Sequence, residues 1–486
     1  MDAPIPDLAE RADACAQRLR SADSVVLASH IDADGLTSAA IAASALERAG
    51  IPFRTVFSKQ LDAEEIAGIA ELEPDTALFT DFGSGQLDII AEHEAAGDFT
   101  PVIADHHQPA TADDADGEAA EGADAEAPET EFHLNPLLFG INGASELSGA
   151  GASYALARAL EPEGGDNRDL AALAVVGAVG DMQASGGELH GANERIVEEG
   201  VAADALETGT DLAMYGKQTR PLPKLLEYSS DVNIPGISND ESGALRFLDE
   251  LDLDLKSDGE WRRWVDLDEE EQSEVSNALI QHAIQKGVPT DKIEGLAATS
   301  YTLTDESVGT ELRDASEFST LLNATARYER ADVGLAVCLG DRGPALERAR
   351  QLLRDHRRNL SEGIQWVEEE GVNREENLQW FHAEDRIRET IVGIVAGMAV
   401  GADGVDRGLP IVAFAEKSEE EVKVSSRGTH SLVRKGLDLS QVMGEASRAV
   451  GGDGGGHDVA AGATVPAGTE AEFVERADDI VGEQLS

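Results

Sequence analysis

Two cysteines in 486 residues, nine lysines and only 4% aromatic residues mark this chain first by what it has little of. Cys15 and Cys338 lie far apart, neither with a C-x-x-C partner. That argues against thiolate zinc sites and a disulfide framework, and leaves both as small buried hydrophobes. No apolar run approaches the roughly 18–20 residues of a membrane span. The opening segment, MDAPIPDLAERADACAQRLR, lacks the basic-then-apolar order of a secretory signal and reads as a short amphipathic helix. A cytoplasmic protein with no membrane partner is expected. What the chain does have is length, too much for one core, so two or three domains are expected. Its 41% apolar content excludes wholesale disorder.

Bases are scarce too. There are 38 against 95 acids, a net charge of −57, and only nine of the 38 are lysine against 29 arginine. A dedicated cation binder would cluster its acids, whereas adaptation to a salt-rich cytoplasm would spread them over every surface. Here they are spread, which favours a halophile whose hydrated carboxylates keep it in solution. The charge thus describes the solvent and does not exclude a polyanionic substrate.

Residues 24 to 108 alternate strand and helix signals. SVVLAS is a buried-strand run ending at His30, and LTSAAIAASALERAG is a helix stopped by Gly50. FRTVF and TALFT read as the second and third strands, the latter delivering Asp81, and PVIA as the fourth, delivering Asp105. Segments 62–72 and 86–96 have helical composition. A β-α-β-α-β-α-β series implies an α/β fold with a mostly parallel sheet flanked by helices. Residues 110–131 carry nine acids and no base, the composition of a solvated loop. Helices are expected near 149–160 and 169–180, the second feeding GAVGDMQ. From about 291 a new series is expected: strand AATSYTL, helix DASEFSTLLNATARYE, strand VGLAVCL, a long arginine-studded helix, and strands PIVAFAEK and EEVKVSSRG.

Acids and histidines stand just past strand ends: HIDADG after the first, DFG after the third and DHH after the fourth. Beyond the carboxyl ends of neighbouring parallel strands such residues converge on one crevice. In an extended segment His30, Asp32 and Asp34 share one side. Each group alone also admits a structural role: Asp34 as the cap of the following helix, Asp81 and Asp181 as turn residues, the His106–His107 pair as satisfied core histidines. Jointly, five carboxylates and two or three imidazoles in one crevice would repel unless cations sat among them. Oxygen and imidazole ligation without thiolate suits manganese, magnesium or cobalt. So many ligands point to two metals and phosphoryl chemistry.

SHIDADGLTSA, TDFGSGQ, IADHHQP and VGDMQ resemble, in order, the four motifs of DHH phosphoesterases. VSSRGTH…GLDLSQVM…GGDGGGHDVAAGATVP resembles the DHH-associated C-terminal domain with its GGGH signature, and ELRDASEFSTLLNATARYERADVGLAVCLGD is similar to a segment of the archaeal RecJ-like branch. The resemblance covers most of the chain, least well 110–131 and 200–290. It implies a DHH domain over 1–215, a helical connector or insertion over 216–290, and a smaller α/β DHH-associated substrate-binding domain over 291–486, with the active-site groove between domains. It further implies Asp32, Asp34, Asp81, His106 and Asp181 as ligands of two divalent cations, Mn²⁺ foremost with Mg²⁺ or Co²⁺ as alternatives, and Asp81 as the bridge. His30 would coordinate or hydrogen-bond. His107 would meet the scissile phosphate, and Asp105 would orient a histidine.

In the GGGH element, Gly454, Gly455 and Gly456 allow close approach of a phosphate to backbone N–H groups, with His457 donating to a non-bridging oxygen. Ser425, Ser426 and Arg427 end a strand of the same domain, and Arg427 suits a forked phosphate contact. Three basic clusters could serve a polyanion: Arg427, Arg434 and Lys435; Lys217, Arg220 and Lys224; and six arginines between 342 and 358, which also fit salt bridges within their own helix. The expected activity is a RecJ-like exonuclease on single-stranded nucleic acid, DNA favoured, in repair or replication. The alternatives are an oligoribonuclease or cyclic-dinucleotide phosphodiesterase, and a replication factor associated with GINS, since RecJ-like proteins resemble an inactive eukaryotic replicative-helicase subunit.

Overall fold

The computed structural model describes residues 3–110, 130–229, 232–402 and 404–485. Most of the acidic stretch 110–131 lies outside the described residues. The chain divides into two compact units, Met1–Ala349 and Arg350–Ser486.

The first unit is built on a parallel sheet of strands β1 (Val25–His30), β2 (Phe53–Ser58), β3 (Thr76–Thr80), β4 (Thr100–Ala104) and β5 (His133–Leu134), in the order β2-β1-β3-β4-β5. β3 is buried throughout and β1 and β4 nearly so. Strands covered on both faces must be apolar along their whole length, which is why they read as continuous hydrophobic runs. Register carries the functional point. Ser29 is level with Thr80, and Thr80 with Ala104. The next residues, His30, Asp81 and Asp105, therefore emerge in one row at the carboxyl ends of three adjacent strands. β1, flanked by β2 and β3, is where the strand order reverses, the place where open α/β sheets bind ligands.

Helices α1 (Ala9–Arg20), α2 (Ala33–Arg48), α3 (Ala63–Ala70), α4 (Leu87–Ala96), α5 (Gly149–Ala159) and α6 (Ala171–Gly180) belong to this unit. α2, α5 and α6 pack through small residues. A Cβ on Gly177 would stand 2.5 Å from the Ala150 methyl and 2.4 Å from Asp34 Oδ1. Strand Leu206–Leu212 pairs antiparallel with Ala297–Leu303, so the intervening segment enters and leaves along one ribbon. Its helices Leu222–Glu227, Glu241–Asp249 and Glu269–Gln285 close over their own core of Leu222, Leu226, Ile234, Phe247, Trp264 and Leu279. The residues from 297 to 349 also belong to the first unit, and helix Ala315–Arg327 packs on α6 and α2.

One sequence expectation is overturned. VGLAVCL is not a strand but part of helix Ala331–Cys338. Gly334 lets that helix approach closely, since a Cβ there would lie 2.6 Å from both Leu36 Cδ1 and Thr325 Oγ1. A seven-residue apolar run fits a buried helix as well as a strand, and nothing local decides between them.

The second unit carries a six-stranded sheet in the order Asn373–Arg374, Gln379–His382, Ile411–Glu416, Glu421–Arg427, Ala460–Pro466, Asp453–Gly456. Only Gln379–His382 and Ile411–Glu416 run parallel. Val412, Phe414, Val424, Ala463 and Val465 bury one face with helices Leu439–Ala449 and Glu470–Leu485. On the other face Phe381, Ile411 and Ala413 pack with helix Val392–Ala399.

Candidate metal centre

β1 delivers His30, and the chain turns into α2 through Asp32, the helix cap, which accepts a hydrogen bond from Gly35 N–H at 2.9 Å. A Cβ on Gly35 would lie 2.3 Å from the His30 carbonyl oxygen, so the turn requires glycine. The cap is Asp32 and not Asp34. Asp34 sits in the first turn, 2% exposed, and accepts from the first N–H groups of α5, Gly149 at 2.7 Å and Ala150 at 3.0 Å. A helix N-terminus is a suitable seat for an anion. Burial and the Asp81 charge nonetheless push its pKa well up.

Asp81 follows β3 with φ 60°, a left-handed conformation that aspartate tolerates better than most residues. It is 2% exposed, and Gly149 makes room for it, because a Cβ there would stand 2.4 Å from Asp81 Oδ1. Burial raises its pKa, but His106 and His30 more than offset this and hold it at about 2. His30 Nδ1 lies 3.2 Å from Asp32 Oδ2 and 3.5 Å from Asp81 Oδ2. His106 Nε2 lies 3.3 Å from Asp81 Oδ1 and 3.7 Å from Asp34 Oδ2. Its Nδ1 is 2.7 Å from the Gly143 carbonyl. As donor to that carbonyl, Nδ1 keeps its hydrogen, so Nε2, which faces the carboxylates, is the nitrogen that would give up its proton to ligate a metal. Asp181 ends α6; Gln183 Nε2 donates to it at 2.8 Å and to the Gly143 carbonyl at 2.8 Å, and Asn193 holds Gln183 at 2.7 Å.

Asp105 plays a different part. Fully buried, it accepts from the N–H groups of Ser84 (3.0 Å), His106 (2.8 Å) and His107 (3.2 Å), and its Oδ1 lies 2.8 Å from His107 Nδ1. These bonds and the nearby His107 charge hold its pKa far below the usual range despite burial. His107 is turned outward, and Asp105 raises its pKa.

Donor atoms thus gather in three overlapping groups, each within 4.8 Å: His30, Asp32 and Asp81; Asp34, His106 and Asp181; and Asp81, Asp105, His106 and His107. Asp81 Oδ1 and His30 Nδ1 are buried without a hydrogen-bond partner. Buried polar atoms are rarely left so. A carboxylate and imidazole donor set with these two open atoms fits divalent cations.

Sequence reasoning missed the supports. Asn323, on helix Ala315–Arg327, accepts a hydrogen bond from Ala33 N–H at 3.1 Å and so holds the entrance of α2. It is 290 residues away, and no local pattern announces it. Gly143 likewise has no signal, whereas Gln183 lay in view two places after Asp181. Beside the Asp181 turn is a cavity of about 260 Å³ lined by Val179, Ala184, Tyr215, Lys217, Tyr301 and Asp314.

In the second unit, Ser425 and Arg427 share a sheet face, and Ser425, Gly462 and Gly455 are level across three strands. A Cβ on Gly393 would lie 2.8 Å from Arg427 Nη2, and one on Gly455 would meet nothing within 4 Å. The face is open at Gly455, whereas Ser425 is buried and lies with Arg427 against Gly393 of the covering helix. Ser426 does not join it: it points to the opposite face, is fully buried, and donates to the Ala461 carbonyl at 3.1 Å. Gly454 turns the same way as Ser426, and a Cβ there would meet Ala463 Cβ at 2.7 Å. The three glycines are an edge strand and not a loop. Gly456 has φ 143°, and the exposed His457 closes the hairpin through its N–H to the Ala460 carbonyl at 2.9 Å.

Of the basic clusters, Lys217–Arg220–Lys224 is occupied internally. Lys217 is buried 2.9 Å from Asp211, Arg220 stacks on Tyr215 and Tyr228 at 4.7 and 5.1 Å, and Lys224 pairs with Glu227 at 2.7 Å. In the third cluster, Arg358 pairs with Asp355 and Arg342 with Glu306. Arg434 and Lys435 are exposed.

Family models of a DHH-CID domain and a DHHA1 domain match residues 214–297 and 377–483. An uncharacterized protein of Methanocaldococcus jannaschii is 30% identical over 459 residues, covering 94% of this chain and 93% of that one. RecJ of Thermus thermophilus, solved in complex with Mn²⁺, superposes on 99% of this chain at TM-score 0.59 and 17% identity, and the chain spans 55% of its length. CDC45 of Entamoeba histolytica superposes on 98% of this chain and 99% of its own at TM-score 0.60 and 10% identity. No helix among the described residues is long and apolar enough to cross a membrane. The row of strand-end donors, the two matched domains and the near full-length relative converge: the chain belongs to the DHH superfamily and has a RecJ-like fold.

Proposed function

We propose that this protein is a metal-dependent phosphodiesterase that hydrolyses single-stranded nucleic acid, DNA before RNA. The observation that carries the reading is the convergence of His30, Asp32, Asp34, Asp81, His106 and Asp181, with two buried atoms among them, Asp81 Oδ1 and His30 Nδ1, that make no well-formed hydrogen bond. Such a donor set would hold two divalent cations, with Asp81 shared, and Mn²⁺ suits its oxygen and imidazole character. When bound, the ions supply Lewis acidity and an activated water.

The chain's own residues do the rest. Asp34, Gly149 and Ala150 lock two helices together at the centre, so the carboxylates are held before any cation arrives. His107, its pKa raised by the hydrogen bond to Asp105, would present its outer nitrogen to a phosphate oxygen and offset charge that builds there. In the second unit Arg427, Ser425, Gly455, Gly456 and His457 would hold a phosphate. Arg427 brings a forked donor, and the glycines leave backbone within reach.

Incubating 5′- and 3′-labelled single-stranded DNA and RNA with the protein and Mn²⁺ in molar potassium chloride tests this. Hydrolysis that disappears with chelator and in Asp81→Ala supports it. No hydrolysis of any strand by folded wild-type protein with Mn²⁺ bound refutes it. The CDC45 likeness favours a second reading, a scaffold in a replication assembly, with GINS as the partner the family suggests. In that case Asp81→Ala leaves partner binding intact and there is no hydrolysis to lose.

A further inference from the structure

α6 ends in a capping turn with two defining hydrogen bonds: Gln183 N–H reaches back to the Ala178 carbonyl at 3.0 Å, and Met182 N–H to Val179 at 3.1 Å. The residue between the helix cap and Gln183 must be left-handed, and Met182 accordingly has φ 60°. Glycine is the usual occupant of this position, because a Cβ crowds the backbone there. Among the described residues, eight other than glycine have positive φ, and seven of those are Asp, Asn or Glu. The polar seven carry side chains that hydrogen-bond locally or to water, which a methionine side chain cannot do as a donor and does only weakly as an acceptor. Met182 is also 87% exposed, the most exposed large apolar side chain among those described. Two unfavourable features, strain and a solvated thioether, coincide at one residue.

Their location gives them meaning. Met182 directly follows Asp181, whose carboxylate lies 3.8 Å from His106, and it directly precedes Gln183, the buried anchor of that carboxylate. The turn cannot drift, because both of its neighbours are fixed. Met182 therefore sits on a rigid base, one residue from the candidate centre, with its side chain exposed. Val179 and Ala184, on either side of the turn, line the adjoining cavity, which also offers the rings of Tyr215 and Tyr301. Backbone strain retained at such a place is the mark of a function that glycine could not perform. A methionine is flexible and polarisable, and sulfur makes favourable contacts with aromatic rings. The aromatic rings of the proposed substrate are its nucleobases.

We propose that Met182 is a substrate-positioning residue that packs against the base of the nucleotide held at the metal centre, and so gives the enzyme a preference for strands that carry bases. This rests on the phosphodiesterase reading above. It accounts for an apolar side chain next to a polar centre, and for the absence of glycine where the helix end favours it.

The test compares wild type with Met182→Gly, Met182→Asn and Met182→Leu on two probes, an oligothymidylate decamer and a decamer of abasic tetrahydrofuran nucleotides. Hydrolysis with Mn²⁺ and binding by fluorescence anisotropy with Ca²⁺ are both measured in molar potassium chloride. Met182→Gly should melt at a higher temperature than wild type and bind Mn²⁺ equally well. Its KM and Kd for the oligothymidylate should nevertheless rise about fivefold, with those for the abasic decamer unchanged. Met182→Asn should show the same loss, and Met182→Leu should retain most of the preference. A glycine variant that is more stable and keeps the wild-type ratio between the two probes overturns the proposal and leaves Met182 as a poor helix cap. Wild type that binds and cleaves both decamers alike also overturns it, without touching the phosphodiesterase reading. Wild type that neither binds nor cleaves either decamer sinks both.

Discussion

At the scale of single residues, the candidate centre is a proton store until a cation arrives. Burial pulls the imidazoles of His30 and His106 down, but the surrounding aspartates more than offset it and raise them to about 10 and about 11. Both are therefore protonated at neutral pH in the metal-free protein, whereas a metal ligand must offer a lone pair. Mn²⁺ binding should release protons, and affinity should climb as pH rises from about 6 to 9. Titration calorimetry in buffers of different ionisation enthalpy reads the release directly, and a buffer-independent heat with a flat pH profile refutes it. Asn323 gives a second residue-scale prediction. It holds the Ala33 N–H that opens α2, between Asp32 and Asp34, without belonging to the donor set. Asn323→Ala should weaken Mn²⁺ binding about tenfold, as loss of a supporting hydrogen bond does. Asn323→Asp keeps the acceptor and should restore most of it. Equal affinity in all three proteins would show that the contact is incidental. The strand-end donors were legible in the sequence because each follows an apolar run directly. Asn323 and Gly143 were not, because their roles exist only once distant segments have met. Asp32 and Asp34 were legible as a pair, but which of them caps the helix depends on where α2 begins, and boundaries are the weakest part of any sequence pattern.

Elements rather than residues decide how close the helices behind the centre can come. α2, α5 and α6 meet through glycine and alanine, and two glycines touch the carboxylates themselves: a Cβ on Gly177 would stand 2.4 Å from Asp34 Oδ1, and one on Gly149 the same distance from Asp81 Oδ1. Neither glycine has positive φ, so each is required by space alone. Gly177→Ala should destabilise the first unit by about 1–3 kcal/mol, the usual penalty for overpacking, and also weaken Mn²⁺ binding. Gly50→Ala is the control: it carries φ 72° with nothing within 4 Å, so it should destabilise the fold and leave metal affinity alone. Thermal melts and calorimetry on both variants separate the effects; equal metal affinity in both would mean that the helix spacing does not govern the centre. The parallel sheet was readable in the amino-acid pattern because a doubly covered strand must be apolar at every position. The Ala331–Cys338 helix was not, since an equally apolar run of seven satisfies either geometry. The return of the chain at 297–303 was hidden for another reason. Its partner strand, 206–212, lies some ninety residues earlier, and pairing between such segments leaves no periodicity to read.

For the whole molecule the governing quantity is charge. With 95 acids and 38 bases, mutual repulsion opposes compaction over the entire surface. The few cations are used where geometry makes them count. Arg48 grips Asp169 with both nitrogens at 2.8 and 2.6 Å, and Arg262 and Arg330 do the same with Glu271 and Asp332. Only a guanidinium can make that fork, a contact that lysine could not replace. Such pairs are too few to neutralise the surface. Raising salt from 0.1 to 1 M shortens the screening length from about 10 to about 3 Å, which isolates each carboxylate from most of its neighbours. The melting temperature should therefore rise by several degrees between about 0.1 and 2 M potassium chloride, although the same salt weakens every exposed ion pair. A flat or falling curve would mean that the arginine clasps outweigh the repulsion and that the acidic surface was never held apart by charge. The same screening bears on the substrate. Phosphate contacts lose strength steeply with salt, while stacking and metal ligation do not. In concentrated salt, the proposed grip on a strand would come from contacts such as those at the strand ends and at Met182, and affinity for an oligonucleotide should fall less with salt than its phosphate count predicts.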